Sequence, residues 1–456
     1  MKNFMNKIRH KSIIVLLSLL SAIFLLAATF TVSKYVIEKR AGTLTLNLTS
    51  IDVLAPGLQV RNAMDDSVTE VVFGLTKDYE DEVAGIVPKN VDINKAGKIK
   101  LYAKGTKAYI LADRRIYANP DSHHLFYHRK ELTSVDFSNF DAGIVTDMRG
   151  MFIGCDKLAE VKNITSWNTG NVEDLEFMFR DCPSLVSLDL SGWNTANVTD
   201  LYGMFYNCKG LTSLDVSSWD TSAVEHIGDV FYGCSSLTSL DVSKWNTESV
   251  THMHYAFYNC SSLTTLDLSG WKISGPTDLG YIFYNCSSLT SLDLSGWNTS
   301  EVTIMDSMFY GCSSLTSLNV STWNAGKVVD MYFLFRGCKK LAELDISSWK
   351  AESVTDMYCM FYDCGSLTSL DFSSWNTASV TNMGHMFFNC GKLVTIYAGS
   401  GWNTDNVTYS AGMFQLCTKL SGGAGTSYNS ANMGITYARI DGGAENPGYF
   451  TAAEKP

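Results

Sequence analysis

The chain has 456 residues, of which 18% are charged, with a net charge of -11 at pH 7. So acidic a chain has no basic stripe to lay along a phosphate backbone, which excludes nucleic acid as a partner. Nor does it carry a phosphate loop, a dinucleotide fingerprint or a nucleophile elbow outside its repeats, so neither an enzyme nor a cofactor is expected.

Residues 1–40 differ in kind from the rest. Lys2, Lys7, Arg9 and Lys11 precede an apolar run from Ile13 to Val32, long enough for a secretory signal or for one membrane crossing. Segment 1–40 therefore reads as a signal peptide or an N-terminal membrane anchor, and positive charge before the run leaves the remainder outside the cell. No cysteine precedes Cys155, which excludes a lipid-modified N-terminal cysteine, and the final "YFTAAEKP" has no LPxTG-like sorting motif. Residues 41–120 contain "GTLTLNLTSIDVL" and "VTEVVFG", which read as strands of a β-rich capping domain.

From about 121 to 420 the chain repeats itself. Cysteines at 155, 182, 208, 234, 260, 286, 312, 338, 364, 390 and 417 stand 26 residues apart, except for steps of 27 at the two ends. Each of the ten tryptophans, Trp167 to Trp402, lies fifteen residues before a cysteine. A fixed period in this range marks a solenoid, whose units are too small to bury their own apolar face and must stack. In "LTSLDLS", Leu289, Leu292 and Leu294 give an LxxLxL strand, with Ser291, Asp293 and Ser295 on its other face. Val302, Met305, Met308 or Phe309, and Cys312 then fall three or four apart, the spacing of a short helix. The expected fold is an α/β repeat solenoid of about 11 units, right-handed, with a parallel sheet on one side and short helices or 3-10 turns on the other. Residues 421–456 form the C-terminal cap. In "WKISGPTDLG", Pro276 stands where other units have valine, so a bend is expected there.

The units "NVTDLYGMFYNCKGLTSLDVSSW" and "SVTDMYCMFYDCGSLTSLDFSSW" resemble the BspA-type leucine-rich-repeat surface proteins of bacteria, in the 26-residue variety of mycoplasma lipoproteins. The stretch from Gly97 to Leu132 resembles that family's N-terminal cap, and "GGAGTSYNSANMGITYARIDGGAENPGYFT" its exit segment. The resemblance implies a non-enzymatic surface protein engaged in adhesion to host or neighbouring-cell components. Departures include Arg129 where the cap unit would have its cysteine, and Lys162 and Tyr397 in place of the strand aspartate.

Several columns repeat a chemistry. Phe205, Phe231, Phe257, Phe283 and Phe309, with Trp219, Trp245 and Trp297, read as core. Cys208, Cys234, Cys260, Cys286 and Cys312 read as buried and reduced, because equivalent residues of stacked units point the same way and cannot converge into disulfides. Cys359 lies outside that column and is expected to be the accessible thiol. Asp215, Asp241, Asp267 and Asp293 line the strand face, either hydrogen-bonded locally or offered to Ca²⁺ or a basic partner. His226, His252 and His254, with Asp278, and the pair His124 and His128 read as solvated side chains rather than a metal site. Tyr206, Tyr232, Tyr258, Tyr284, Tyr310 and Tyr362 lie two residues before a cysteine and predict a surface ridge. The ligand expected is an extracellular protein or glycan. The alternative is a spacer or surface-layer component that associates with itself.

Overall fold

In each unit a leucine stands between a serine and an aspartate, and that alternation makes a three-residue strand with one buried side chain. The computed structural model describes residues 51–273 and 275–453, together with the backbone of an antiparallel hairpin, Tyr35–Lys39 with Gly42–Leu46. Ser187–Asp189 pairs in parallel with Ser213–Asp215, and Ser291–Asp293 with Ser317–Asn319, in the register that the repeat dictates. The strands do not join into one sheet along the array. Around residues 239 and 265 the chains still run side by side, and Thr264 donates its N–H to the Thr238 carbonyl at 3.3 Å. A strand of three residues has so few ladder bonds that a small change of twist unpairs it.

On the other side of each unit the structure takes tight turns, the second of the two expected forms, and not short helices. Leu201, Gly203, Phe205 and Asn207 donate their N–H groups to the carbonyls of His226, Gly228, Val230 and Tyr232 in the next unit, at 2.6 to 2.9 Å. Between them, Met204, Tyr206 and Cys208 donate three residues back, to Leu201, Gly203 and Phe205. The result is a run of tight turns stitched to its neighbour, with no helix between residues 121 and 420 among the described residues. Gly203 and Asn207 have φ of 56° and 57°, and left-handed residues four apart cannot belong to a right-handed helix. Turns and helix put the same side chains inward, which is why the three-or-four spacing fitted both.

The apolar columns fill the space between the two tracks. Eleven phenylalanines, Phe152 to Phe414, stack unit upon unit with centroids 5.1 to 5.9 Å apart. Nine tryptophans, Trp167 to Trp375, do the same at 5.8 to 6.5 Å. Each cysteine thiol of the column points at a main-chain carbonyl of the preceding unit, as Cys234 does to Phe205 at 3.2 Å, and burial raises the pKa of Cys234 well above the ordinary range. Buried threonines add a staple. Thr247 donates its hydroxyl to the Lys272 carbonyl and accepts the Lys272 N–H, both at 2.9 Å. Cys359 is not the accessible thiol: it is 1% exposed. It takes a left-handed position (φ 54°) in the turn track, in the unit between those of Phe333 and His385, and its neighbours cover the sulfur.

At the Pro276 unit the turn track loses a step. Parallel bridges run from Asp121 through His226 to His252, and again from Asp278 to Tyr409, but among the described residues none joins His252 to Asp278. Val302 donates to the carbonyl three residues back, whereas Pro276 has no N–H to give. Among the described residues, Met253 also lacks the inter-unit bond that Ile227 and Leu279 make. The indole N–H of Trp297 is buried without a partner.

At the start of the array, Glu70–Leu75 pairs in parallel with both Lys107–Ala112 and the repeat strand Ser134–Asp136, so one six-stranded sheet runs across the junction. Arg129, in the cysteine column, is 1% exposed. It reaches the helix Gly57–Ala63 and the loop after it, bonding Asp66 at 2.9 Å, the Met64 carbonyl at 2.7 Å and the Arg61 carbonyl. At the far end, Phe450–Ala452 pairs in parallel with Thr395–Ala398. The apolar run 13–32 lies outside the described residues. Among the described residues no helix is long and apolar enough to cross a membrane.

Candidate functional site

The turn track fixes where its side chains stand. Because alternate N–H groups are tied to the next unit, residues 26 apart are held at nearly the same height and angle. Tyr206, Tyr232, Tyr258, Tyr284 and Tyr310 accordingly stack face to face at 4.3, 4.4, 4.6 and 4.4 Å, with planes within 8°. All five are half-buried, with ring edges at the surface. Tyr362 stands two units beyond Tyr310 and stacks on Phe388 at 4.5 Å. Stacking of this kind contributes about 1 kcal/mol per pair beyond the area it covers. Burial and the neighbouring phenols hold the Tyr284 hydroxyl up to about 12.

Two arginines occupy the same column. Arg180 precedes Tyr206 by 26 residues, and its guanidinium lies over Tyr206 at 4.9 Å and Phe177 at 4.7 Å. Arg336 follows Tyr310 by 26 residues and sits over Tyr362 at 4.4 Å, Phe333 at 4.5 Å and Tyr310 at 5.4 Å.

Beside the ladder a second aromatic column forms a groove, lined by Tyr202, Asp229, Tyr232, His254 and Tyr255 among others. Tyr255 stacks on Tyr281 at 4.8 Å and tilts against Tyr258 at 5.7 Å. Gly228 lets the Tyr202 and His254 rings close over its backbone, 6.1 Å apart, since a Cβ there would lie only 3.0 Å from the tyrosine ring and 3.4 Å from the imidazole. Asp229 is 8% exposed at this place. Burial pushes its pKa up, opposed by a hydrogen bond from Tyr202, while His254 and Arg180 act on it through charge. Sequence reasoning missed this groove because it attended to what recurs. Gly228, Asp229 and His254 stand in columns that change from unit to unit, and the tyrosines around them were the available signal.

The strand face is plainer. Asp215, Asp241, Asp267 and Asp293 are exposed, and each accepts the N–H of the serine two residues on, Asp241 at 3.1 Å. The serine hydroxyl adds a second bond at 2.7 to 2.8 Å for the first three. These bonds lower the pKa of Asp241 and Asp293 and offset repulsion along the column. The histidines pair locally: His226 Nδ1 lies 2.8 Å from Asp200, and His252 packs edge-on against His226. Asp121, His123 and Asp147 are the one group among the described residues with metal-ligand spacing, within 4.8 Å. Arg149 already holds Asp147 at 2.8 Å, which supplies the positive charge that an ion would bring.

A stack of short parallel strands and tight turns with leucine and phenylalanine columns is a leucine-rich-repeat array. Residues 121–239, 210–318, 277–400 and 305–427 match the family described as "Mycoplasma protein of unknown function, DUF285", and the chain belongs to that family. This is the 26-residue mycoplasma repeat read from the sequence. No curated protein matches the chain. Among solved structures, a leucine-rich repeat protein from Bacteroides ovatus is 15% identical over 84% of this chain and 99% of its own, with a TM-score of 0.29. Another, from Eubacterium ventriosum, is 15% identical over 53% of this chain and 82% of its own, with a TM-score of 0.25.

Proposed function

We propose that the chain is a non-enzymatic binding module displayed outside the cell, holding a protein or glycan ligand along the tyrosine ladder. The observation that carries this reading is the rigid row Tyr206 to Tyr310, five half-buried phenol rings with centroids 4.3 to 4.6 Å apart. Such a row contributes contact area with little side-chain entropy left to lose, and a ligand with its own period can meet many copies of the same modest contact. In this reading residues 1–40 direct export as signal or anchor, 41–120 and 421–456 cap the array, and the array winds right-handed as parallel crossovers do.

The test is a panel of extracellular matrix proteins and a glycan array probed with the full chain. Changing Tyr232, Tyr258 and Tyr284 together to Ser should weaken capture at least tenfold while the far-ultraviolet spectrum stays the same. A second reading, a self-associating spacer, is favoured by the way each ring already covers its neighbour's face. Silence across both panels, with concentration-dependent association in sedimentation, decides for the spacer.

A further inference from the structure

The ladder carries two cations of its own. At both ends of the run Tyr206 to Tyr310 the place of a tyrosine is taken by an arginine, Arg180 and Arg336, whose guanidinium lies 4.4 to 5.4 Å from the adjoining rings. This is the geometry of a cation on an aromatic face. Between those ends, Gly228 lets the Tyr202 and His254 rings of the units on either side approach to 6.1 Å, and they form one wall of the groove. Asp229 stands beside it, 8% exposed, with a tyrosine hydroxyl for a partner. A carboxylate so placed is poorly solvated, and a cation brought to it recovers the attraction that water no longer supplies. Tyr232 and Tyr255 flank it with their rings.

We propose that the notch formed by Tyr202, Asp229, Tyr232, His254 and Tyr255 receives an arginine side chain of a partner protein, seated on the tyrosines as Arg336 is and paired with Asp229. The inference rests on the binding reading above and names the partner's chemistry. The chain's net charge of -11 favours a basic partner in general, and the notch accounts for recognition of one side chain within it. The planar guanidinium suits the site better than an ammonium because it can lie flat on a ring while donating sideways to the carboxylate.

The test uses fluorescence anisotropy with a labelled Gly-Arg-Gly-Arg-Gly peptide, the same peptide with citrulline, an uncharged isostere, in place of arginine, and the full chain. The arginine peptide should bind at least tenfold more tightly than the citrulline peptide. Asp229→Asn and Tyr232→Ser should each lose at least tenfold, Tyr232→Phe should retain binding, and Glu352→Gln, a distant exposed carboxylate, should change nothing. Thermal melts of each variant separate loss of binding from loss of fold, and the near-isosteric Asp229→Asn serves if Tyr232→Ser melts early. Equal binding of the citrulline peptide, or a Glu352→Gln loss as large as that of Asp229→Asn, overturns the proposal in favour of general charge attraction. An oligosaccharide that binds the parent and is lost in Asp229→Asn overturns it in favour of a glycan. If the arginine peptide fails while the triple tyrosine variant still weakens capture of a panel ligand, the binding reading stands and this one falls.

Discussion

The two tracks of the array divide regularity between them. On the strand track the sequence hardly varies, "SLD" after "SLD", yet the hydrogen-bonded strands come in pairs with gaps between. On the turn track the side chains change from unit to unit, Asp, His, Tyr, Gly and Arg in neighbouring positions, yet the backbone ladder fails at a single step in the described residues. Register on the turn track is set by main-chain bonds and left-handed residues, so its outward side chains are free to differ. Individuality, and with it any specific recognition, belongs on that side.

The comparison makes the core shared by both tracks the most sensitive target. Phe283 stacks on Phe257 and Phe309 at 5.7 and 5.6 Å, and Phe283→Asp buries a charge with no partner. It should cost about 4 kcal/mol or more, read as a lowered denaturation midpoint. If this variant melts with the parent, the columns do not face inward. Next comes the staple beside the missing step: Thr247→Val deletes two buried hydrogen bonds and should cost about 1–2 kcal/mol in the same measurement. The step at Pro276 should open locally before the array does. Hydrogen exchange at the Met253 amide is expected to be about tenfold faster than at Ile227 or Leu279, and equal protection would mean that the ladder is whole there.

The smallest effect is electrostatic. Burial pushes Asp306 up to about 6, with a Tyr281 hydrogen bond opposing and Asp330 and Asp278 adding to the rise. An unfolded aspartate titrates near 4, so the folded chain carries an unwelcome charge above pH 6 and is relieved as pH falls through it. Asp306→Asn should raise Tm at pH 7.5 by about 1–2 °C and flatten the gain otherwise seen between pH 7 and 5. An unchanged pH profile would show that Asp306 is solvated.

Much of this was legible because repetition multiplies weak signals. Leu292 or Cys286 alone would say little, but eleven cysteines in register specify a buried column. The turns were legible too, as the alternative to short helices. Gly203, Asn207, Gly233, Asn259, Asn285, Gly311 and Gly337 keep returning to the positions where φ is positive, and a helix has no use for such residues every few positions. Cys359 misled because it stood outside the cysteine column, although the position it occupies is inside another. Alkylation of the native chain should therefore label none of the twelve thiols, and modification at Cys359 alone would restore the first expectation. The notch at Asp229 was the hardest to see, since its lining is drawn from successive units: Tyr202, then Asp229 and Tyr232, then His254 and Tyr255.

One property of the inter-unit bonding reaches beyond any single site. Every standard unit presents acceptors on one side that match the donors on its other side, so a unit is interchangeable with its own copy. A stretch of 26 residues gained or lost in frame leaves each seam as it was and changes the reach of the array by about 4.8 Å. Length is thus an adjustable dimension of this molecule, set by copy number and open to change without redesign of the parts.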